Sequence, residues 1–532
     1  MRLLSIRAFV LAFSALLLPH FAPAQDANAL GGRVVLVLPF DNRSGNTSLN
    51  WIGDSFPDTL NKRLNSAGFL TISRDDRAFA LDHLGLPAGF RPSRATTIII
   101  AQQLDADYVV VGSYNVADNR ISVQAQILSV KGLRLSSPLE DSGELPRLFD
   151  VENAIAWKTA RQIDPHFSVA EQTFLASPGG VPLPSFENYI RGSNAPTPTE
   201  RLQRLQAAVK DTPGYAAALL ALGKEQYAAR DYAAAAATLA KVPKSDRIAL
   251  EANFYLGLAN FNSTKYAQAE AAFAFVGTRL PLPEVVNDQA VAASRQGKDA
   301  VATFQRASAA DPSDEDYHYN LAIALFRRGD TAGAIVEVGA ALKLKPNDQE
   351  AVELRNHLNQ VPAGTKLAPN SDSAFSPVER IRRTYSEAGF RQAAFQLDQM
   401  RALRMATLPR ADQVTQYTQL GRDYLAQGLL PEAEQEFQTA LTADPNAAAA
   451  HAGLAQVREQ SGAADAARTE AQLSIKLKPN ADAYLVLARL NLQSYDLIAS
   501  GTNVSEALKL EPNNTAAQAL RNTLQAQGQS VP

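Results

Sequence analysis

Two different hydrophobic patterns divide the chain. Between Arg33 and about Asp164, short continuous apolar runs alternate with stretches in which apolar residues recur every three or four positions. The short runs predict buried strands, and the wider spacing predicts amphipathic helices. The N-terminal part, residues 33–165, is therefore expected to be an α+β domain with a mixed sheet and flanking helices. Beyond residue 200 only the helical spacing remains, which predicts an all-α region.

Within the N-terminal part the apolar runs and turn residues define individual elements. Phe56, Leu60 and Leu64 mark one face of a helix that Gly68 closes. Strands 108–116 and 121–130 are separated by a short polar turn, so they are expected to form a hairpin. The other predicted strands are 34–38 and 69–73, and the other predicted helices are 75–84, 94–104 and 145–163.

A fixed period dominates the C-terminal part. Pro312 and Pro346 are 34 residues apart, and the same spacing separates Pro445 from Pro479. A proline cannot continue a helix, so each one is expected to follow a helix end. A period of about 34 residues predicts a stack of helix pairs that forms a solenoid.

The residues around these prolines resemble the tetratricopeptide repeat. The stretch 414–445 carries the motif best, with Tyr417 in place of the usual tryptophan, followed by Leu420, Gly421, Tyr424, Ala433, Phe437, Ala440 and Pro445. The small residues are expected where two helices approach closely. The repeat-defining positions are Gly223, Ala235, Gly257, Ala269, Ala322, Ala334, Pro346, Gly421, Ala433, Pro445, Ala455, Ala467 and Pro479. About eight repeats are predicted between residues 200 and 512, including an irregular helix that carries Ala393, Leu397 and Met400.

Two segments rich in proline, glycine and small polar residues are predicted to be linkers. Residues 177–199 precede the repeats, and residues 361–376 interrupt them. They divide the helical region into a first block, 200–360, and a second block, 377–527, each ending in a closing helix that covers the last apolar edge.

The N-terminal domain resembles the TolB amino-terminal-type domain. The resemblance is carried by Leu38-Pro39-Phe40, Trp51-Ile52-Gly53 and residues 107–114. It implies a non-catalytic α/β module used in protein assembly.

The first residues have the pattern of an export signal. Arg2 and Arg7 precede an apolar run, 8–18, and a small-residue stretch that ends at Ala24. This predicts a cleavable signal peptide, residues 1–24, and places the mature protein in the periplasm or cell envelope. The alternative is an uncleaved signal anchor, although the run is short for a membrane span. No later segment is apolar enough to span a membrane.

Composition narrows the chemistry. The net charge is −3, which offers no basic footprint for nucleic acid. The absence of cysteine excludes disulfides, thiolate zinc sites and thiol nucleophiles. No HExxH or Gly-x-Ser-x-Gly motif is present. The chain is therefore expected to be non-catalytic, with no metal and no cofactor.

One loop of the N-terminal domain is a candidate ligand site. Asp41, Asn42 and Arg43 follow the first strand, at the end of the strand where α/β sheets tend to place ligands. The alternative is a polar turn whose side chains bond their own backbone. Asp54 and Asp58 share one helix face and suit a cation, or they simply complement the helix dipole.

Resemblance to the tetratricopeptide repeat also implies a partner surface. The first helix of each repeat lines a concave face in that family, and aromatic residues beside arginines suit the anchoring of a partner. The alternative is that these residues pack on neighbouring repeats. The candidates are Phe254, Phe261, Tyr319, Ile323, Phe326, Arg327, Arg422 and Gln456.

These features together predict an exported adaptor that binds protein partners, expected to be envelope components, through its repeats, with the N-terminal domain as a second docking or sensing module. The alternative is a small-ligand sensor or an enzyme that uses the Asp41 loop.

Overall fold

The computed structural model describes residues 33–87, 92–176, 181–246, 248–367, 375–383 and 387–531. The predicted signal peptide, residues 1–24, lies outside them. The N-terminal domain contains a seven-stranded sheet. Its strands are β1 (Val34–Val37), β2 (Asp41–Asn42), β3 (Leu70–Thr71), β4 (Tyr108–Ala117), β5 (Arg120–Ser129), β6 (Arg134–Leu135) and β7 (Leu139–Glu144).

The sheet is mixed, as predicted. Its main path runs β3-β1-β4-β5-β6, with β2 paired to β4 and β7 paired to β5. Strand β1 is parallel to β3 and β4, whereas β4 and β5 form the predicted antiparallel hairpin. Asp118 and Asn119 have positive φ in the turn between them, a conformation that Asp and Asn tolerate better than most residues. Strand β7 was not predicted because its sequence, Leu-Glu-Asp-Ser-Gly-Glu, contains only one apolar residue.

Helices cover both faces of this sheet. They are α1 (Trp51–Ser66), α2 (Arg74–His83), α3 (Arg94–Gln103) and α4 (Leu148–Ile163). Side chains alternate along β1, so Val35 and Val37 join the cluster beneath α1 and α4, while Leu36 joins the cluster beneath α3. The predicted fold class of the N-terminal domain is therefore confirmed.

The rest of the chain is helical. Short α5 (Glu171–Leu175) and α6 (Leu183–Asn194) are followed by α7 (Pro198–Asp211), α8 (Ala216–Ala228), α9 (Tyr232–Leu239), α10 (Ala249–Asn262), α11 (Tyr266–Gly277), α12 (Pro283–Ser294), α13 (Val301–Ala310), α14 (Glu315–Arg328), α15 (Thr331–Leu344) and α16 (Gln349–Leu358). The second block contains α17 (Glu387–Ala406), α18 (Arg410–Ala426), α19 (Leu430–Ala443), α20 (Ala448–Gln460), α21 (Ala464–Leu477), α22 (Ala481–Gln493), α23 (Leu497–Leu510) and α24 (Thr515–Ala526). Among the described helices, none has the length and apolar character that crossing a membrane requires.

The prediction of a linker at 177–199 was wrong for most of its length. Helix α6 lies inside it, with Pro184 near the helix start, where a missing N–H costs little. Phe186, Tyr189 and Ile190 are buried in a cluster that extends from the N-terminal sheet to Leu222 of α8. The N-terminal domain and the first helices of the array therefore share one hydrophobic core.

Small residues separate the paired helices as predicted. A side chain added at Gly223 would collide with Leu239, one at Gly257 with Phe273 and one at Gly421 with Phe437. The repeat-defining alanines are fully buried: Ala235, Ala269, Ala322, Ala334, Ala433, Ala455 and Ala467. Helices α15, α19 and α21 each end two residues before a repeat-defining proline, as predicted: Pro346, Pro445 and Pro479 respectively.

The region between the blocks departs from the prediction. Leu397 and Met400 of α17 are 36% and 56% exposed, so this helix does not pack as the second helix of a repeat. Of the predicted linker 361–376, residues 368–374 lie outside the described part. Residues 375–383 contain no helix or strand, and they lie against the first block.

Candidate functional site

The principal candidate site is a groove on the first block that holds residues 375–383. We call these residues the groove segment, and the surface of α12, α14 and α16 that contacts them the first groove. The segment contacts buried Asn287 and Asn320 and the acidic residues at the starts of α14 and α16. The site is thus a stretch of the chain without helix or strand that is held by three helices, α12, α14 and α16.

Amide side chains hold the backbone of the segment. Asn320 donates to the carbonyl oxygen of Arg380 at 2.7 Å and accepts from the Arg380 N–H at 2.7 Å. Asn287 donates to the same carbonyl at 3.1 Å, and its own oxygen accepts from Asn320 at 2.8 Å. Because both bonds with Asn320 go to main-chain atoms, they require an extended backbone but no particular side chain at this position.

One further backbone contact lies two residues along. The Arg382 N–H donates to Oδ1 of Asp288 at 2.8 Å. Asp288 is fully buried, and burial raises the pKa of its carboxyl group well above the ordinary value. Buried side chains of the groove, Asn320 and Asp288, therefore hydrogen-bond to the backbone at both Arg380 and Arg382.

The acidic residue of the segment enters a basic recess. Glu379 is 3% exposed and accepts from the hydroxyl of Ser294 at 2.6 Å. It also contacts Arg327, and Arg295 Nε lies 3.4 Å from its second oxygen. A buried carboxylate requires such pairing because desolvation of an isolated charge is costly.

The first arginine of the segment enters an acidic recess. Arg380 donates to Asp316 at 2.8 Å, to Asp348 at 2.7 and 2.8 Å, and to Glu350 at 2.6 and 3.0 Å. Its guanidinium lies 4.0 Å from the ring centre of Tyr319, a cation–π distance. Burial lowers the pKa of Arg380, but the hydrogen bonds with Asp348, Asp316 and Glu350 outweigh it, so the net shift is upward.

Arg382 completes the basic part of the segment. It contacts Asp314 directly, and Asp316 lies 3.8 Å away. Its guanidinium lies 5.7 Å from the ring centre of Tyr317. The two arginines thus share one acidic patch formed by Asp314, Asp316 and their neighbours.

Helix polarity explains this division of charge. Asp314 and Asp348 are the N-caps of α14 and α16, whereas Arg295 and Arg327 lie at the C-terminal ends of α12 and α14. Acidic residues are favoured at helix N-termini and basic residues at C-termini. The first groove is consequently basic at one end and acidic at the other. The segment runs from the basic end, at Glu379, to the acidic end, at Arg382, and so opposite to the direction of the helices.

The structure brings some of the predicted partner residues together in this groove. Tyr319 and Arg327 contact the segment, and Ile323 belongs to the buried cluster on which Ile381 packs. Phe326 is 1% exposed in the same cluster, and its carbonyl accepts from Leu367 N–H at 3.3 Å. The predicted partner residues identify one of the three helices that form the groove, α14, but neither α12 and α16 nor the segment that occupies the groove.

Two predicted partner residues belong elsewhere. Phe254 is fully buried with its ring 5.9 Å from that of Phe273, so it is a core residue rather than a surface contact. Phe261 is half-buried against Tyr266, with ring centres 5.3 Å apart. Both residues have the apolar character that the packing between neighbouring helices requires.

The remaining predicted residues lie on the second block. Gln456 lines an open cleft of about 410 Å³ together with Glu459, Gln460, Arg489 and Gln493. Arg489 and Glu459 form a bidentate pair with both distances at 2.6 Å. Arg422 pairs with Asp482 at 3.3 Å. The second block thus presents a polar cleft between α20 and α22.

The predicted ligand loop is largely a self-bonded turn. The Asn42 oxygen accepts from Ser44 N–H at 2.9 Å, and its amide donates to Asn46 O and Asn50 Oδ1 at 2.8 and 2.9 Å. Asp41 and Asn42 were expected in a loop, but they form the short strand β2 beside β4. Arg43 borders a polar cleft of about 600 Å³ with Ser113, Asn115, Gln124 and Ser142.

The predicted acidic pair on α1 is engaged in packing contacts. Asp58 accepts from the hydroxyl of Tyr189 at 2.8 Å, and Arg74 lies 3.8 Å away. Burial and the charge of Arg74 lower the pKa of Arg77, and the negative charge of Asp54 opposes this shift. The Arg77 guanidinium donates to Val37 O. Among the described residues, no three His, Asp or Glu side chains are grouped as a metal site would need.

Asn287 and Asn320 are two residues of the candidate site that sequence reasoning missed. They are 33 residues apart, close to the repeat period, and both are fully buried. A buried amide at equivalent positions of two successive helices was the available signal, because such a group needs polar partners that a purely apolar interface would not supply.

A family model decides the nature of the helix pairs. The model described as "Tetratricopeptide repeat" matches residues 220–274, 288–349 and 418–482. The chain therefore contains tetratricopeptide repeats in these three ranges. The matched ranges include α14, which carries Asn320, and α20, which carries Gln456, so each candidate surface includes one helix of a matched repeat.

Solved structures show similarity to separate parts of the chain. The LpoB C-terminal domain from Escherichia coli is 23% identical over 21% of this chain and 83% of its own, with a TM-score of 0.19. YrrB, described as a TPR protein with an unusual peptide-binding site, is 14% identical over 39% and 98%, with a TM-score of 0.29. The TPR2AB domain of yeast Sti1 in complex with pHSP90 is 14% identical over 53% and 98%, with a TM-score of 0.21. No curated protein has a sequence that matches this chain.

Proposed function

We propose that this protein is an exported, non-catalytic adaptor that binds extended segments of partner proteins along its tetratricopeptide array. The observation that carries the proposal is the pair of hydrogen bonds between Asn320 and the Arg380 backbone, both at 2.7 Å. A groove that holds an extended backbone in this way is suited to protein recognition. The apolar run at 8–18 and the following small residues support export, and envelope components are then the expected partners.

The N-terminal domain acts as a second docking or sensing module. Its sequence resemblance to the TolB amino-terminal-type domain supports a role in protein assembly. Its core continues into α6 and α8, so a partner on this domain is held in a fixed relation to the start of the array. The two surfaces together bring two envelope components into proximity.

The experiment uses the full-length chain in cells of its source. The chain is crosslinked in intact cells and recovered by affinity capture, and three variants are compared with the wild type. N287A/N320A changes the first groove, and Q456A/Q460A changes the cleft of the second block. Val336→Ala, a residue on α15 that is 68% exposed, is the matched control.

A specific partner that is lost with either double variant and retained with Val336→Ala is the expected result. Equal recovery from all four proteins, each with an unchanged melting temperature, would overturn the assignment of partner binding to these surfaces. Recovery of no specific partner would favour the second candidate function.

That second candidate is a small-ligand sensor that uses the cleft beside Arg43. Serine, asparagine and glutamine side chains line the cleft, which suits a small polar ligand. A rise in melting temperature with one compound from a metabolite panel, absent in Arg43→Ala and Asp41→Ala, would establish it. The same rise in both variants would exclude these two residues from the site.

A further inference from the structure

The first groove also specifies a class of partner, and this inference rests on the proposed function. We infer that the groove recognises an extended segment of a partner protein with the order acidic, basic, apolar, basic, and that residues 379–382 are a resident copy of that pattern. The resident copy, Glu-Arg-Ile-Arg, competes with the partner for the same contacts.

The acidic position is specified by the basic recess. Ser294, Arg295 and Arg327 all face the buried carboxylate of Glu379. A ligand without an acidic residue would leave Arg327 facing Arg295 with no counter-charge in a largely buried recess. Breaking a buried pair by removal of one partner is strongly unfavourable. The recess therefore selects an acidic side chain.

The two basic positions are specified by the helix N-termini. Asp314, Asp316, Asp348 and Glu350 surround the guanidinium groups of the two arginines. A ligand with acidic residues here would place like charges together, which costs affinity. Because the Asp348 contacts with Arg380 are bidentate, arginine fits this position better than lysine.

The apolar position lies between two core clusters. Ile381 packs against the cluster that contains Ile323 and also against the cluster that contains Phe254. The segment's other side faces outward, since Val378 is 51% exposed and Ser376 is also exposed. A separate peptide with the same order of side chains would make the same contacts without the covalent connection.

Covalent connection explains why the resident copy occupies the groove. A tethered segment competes at an effective concentration on the order of millimolar. An outside ligand must therefore match the resident copy closely or be abundant. Weakening the resident copy is expected to open the groove to a free peptide.

The test uses fluorescence anisotropy with a dye-labelled peptide that has the sequence of residues 375–383. The full chain is compared with the full-length variant E379A/R380A, in which only the resident copy is changed. This variant is expected to bind the peptide at least about tenfold more tightly than the wild type. Val378→Ala, which alters an exposed position of the segment, is the control and should bind as the wild type does.

Two further comparisons establish where the peptide binds. The same peptide carrying E379R, R380E and R382E should not bind, because its charges oppose both recesses. Addition of Asn320→Ala to E379A/R380A should weaken peptide binding by about tenfold through loss of the hydrogen bonds to the peptide backbone. Equal binding of the two peptides, or no effect of Asn320→Ala, would overturn the proposed specificity.

A second measurement covers the case in which E379A/R380A fails to fold. The chain has no cysteine, so Val378→Cys in the otherwise unchanged protein accepts a single environment-sensitive dye. Excess unlabelled peptide should displace the segment and change the dye signal. A signal that is insensitive to peptide at saturating concentration would show that the segment is a permanent structural part, and it would overturn the inference.

The outcomes also separate this inference from the proposed function. A dye signal that changes with unlabelled full-length chain but not with peptide would assign the groove to a second copy and overturn the partner assignment. Partner capture that persists in cells while peptide exchange is absent would leave the adaptor function in place and remove only the specificity proposed for the first groove.

Discussion

At the residue scale, one clear departure from ordinary solution behaviour is a carboxyl group inside the N-terminal domain. Glu152 of α4 is fully buried, and the hydroxyl groups of Ser55 and Thr59 on α1 bond to it, the latter at 2.6 Å. Burial raises its pKa from 4.5 to about 8, although the two hydroxyl groups oppose the shift. A single titratable group thus links the packing of two helices to pH.

The raised pKa of Glu152 predicts a pH-dependent stability. Between pH 4.5 and about 8 the folded protein keeps this proton while the unfolded chain releases it. The stabilising contribution is therefore complete below pH 4.5 and is lost as pH rises through about 8, with a slope of up to about 1.4 kcal/mol per pH unit. Glu152→Gln, which cannot ionise, should be more stable relative to wild type at pH 8.5 than at pH 6. Melting temperatures of both proteins at the two pH values test this, and a constant difference would contradict it.

At the element scale, two of the inter-helix contacts in the described part of the chain recur from repeat to repeat. One is close packing of small residues against Phe or Leu, as at Gly421 and Phe437. The other is a histidine bridge that occurs in both blocks. His318 bonds Glu337 at 2.7 Å and Pro312 O at 3.2 Å, and His451 bonds Glu470 at 2.7 Å and Pro445 O at 3.0 Å. Two histidines that look scattered in the sequence therefore occupy equivalent repeat positions.

Overpacking tests the register of the second block. Ala433 of α19 is fully buried where α18 and α19 meet. Ala433→Leu should lower the free energy of unfolding by about 1–3 kcal/mol, since the added atoms force neighbouring side chains apart. Gln435→Leu on the exposed side of the same helix is the control and should change stability little. Chemical denaturation of the full chain measures both, and equal stability of the two variants would disprove the packing assigned to Ala433.

At the scale of the whole molecule, the N-terminal domain and the residues directly after it contact both blocks. Its core continues into the first block through α6, and the residues before α5 reach the second block. There, the Ala170 N–H donates to the buried carboxylate of Glu434 at 2.9 Å, and Arg458 pairs with that carboxylate at 2.7 Å. Burial raises the pKa of Glu434 above its ordinary value despite this pairing. The second block therefore contacts the stretch of chain that connects the N-terminal domain to the first block.

We call the contact between residues 168–170 and the second block the closure. Removal of one arginine, Arg458, should open it. Arg458→Ala leaves Glu434 buried without its cation, which is expected to cost about 3–5 kcal/mol. Cysteines placed at Ser168 and Gln438, which are in contact, report the closure through a short bismaleimide crosslinker in this cysteine-free chain. Crosslinking should fall sharply with Arg458→Ala.

Arg422→Ala is the matched control for that experiment. Arg422 pairs with Asp482 on the surface of the same block, and both side chains are about 40% exposed. An exposed pair contributes less than about 1 kcal/mol, so crosslinking should remain at the wild-type level. Equal loss in both variants would show that Glu434 and Arg458 do not hold the closure.

The sequence by itself determined the features that depend on local periodicity. The helix pairs follow from a 34-residue spacing and from small residues at Gly223, Gly257 and Gly421, because close packing of neighbouring helices imposes the same demand in each repeat. The β4–β5 hairpin follows from two apolar runs and a short turn. Such patterns are visible within one stretch of chain.

Only the tertiary structure decided what the groove holds. Asn320 and Arg380 are 60 residues apart, and nothing in the residues around either one specifies their pairing. The prolines and small polar residues of 361–376 indicate only that a helix does not form there. The same limit applies to α6, whose prolines suggested a linker, although Phe186 and Ile190 are buried in a core shared with the sheet. Contacts of this kind arise when distant segments meet, because burial and charge pairing depend on which surfaces the fold places opposite each other.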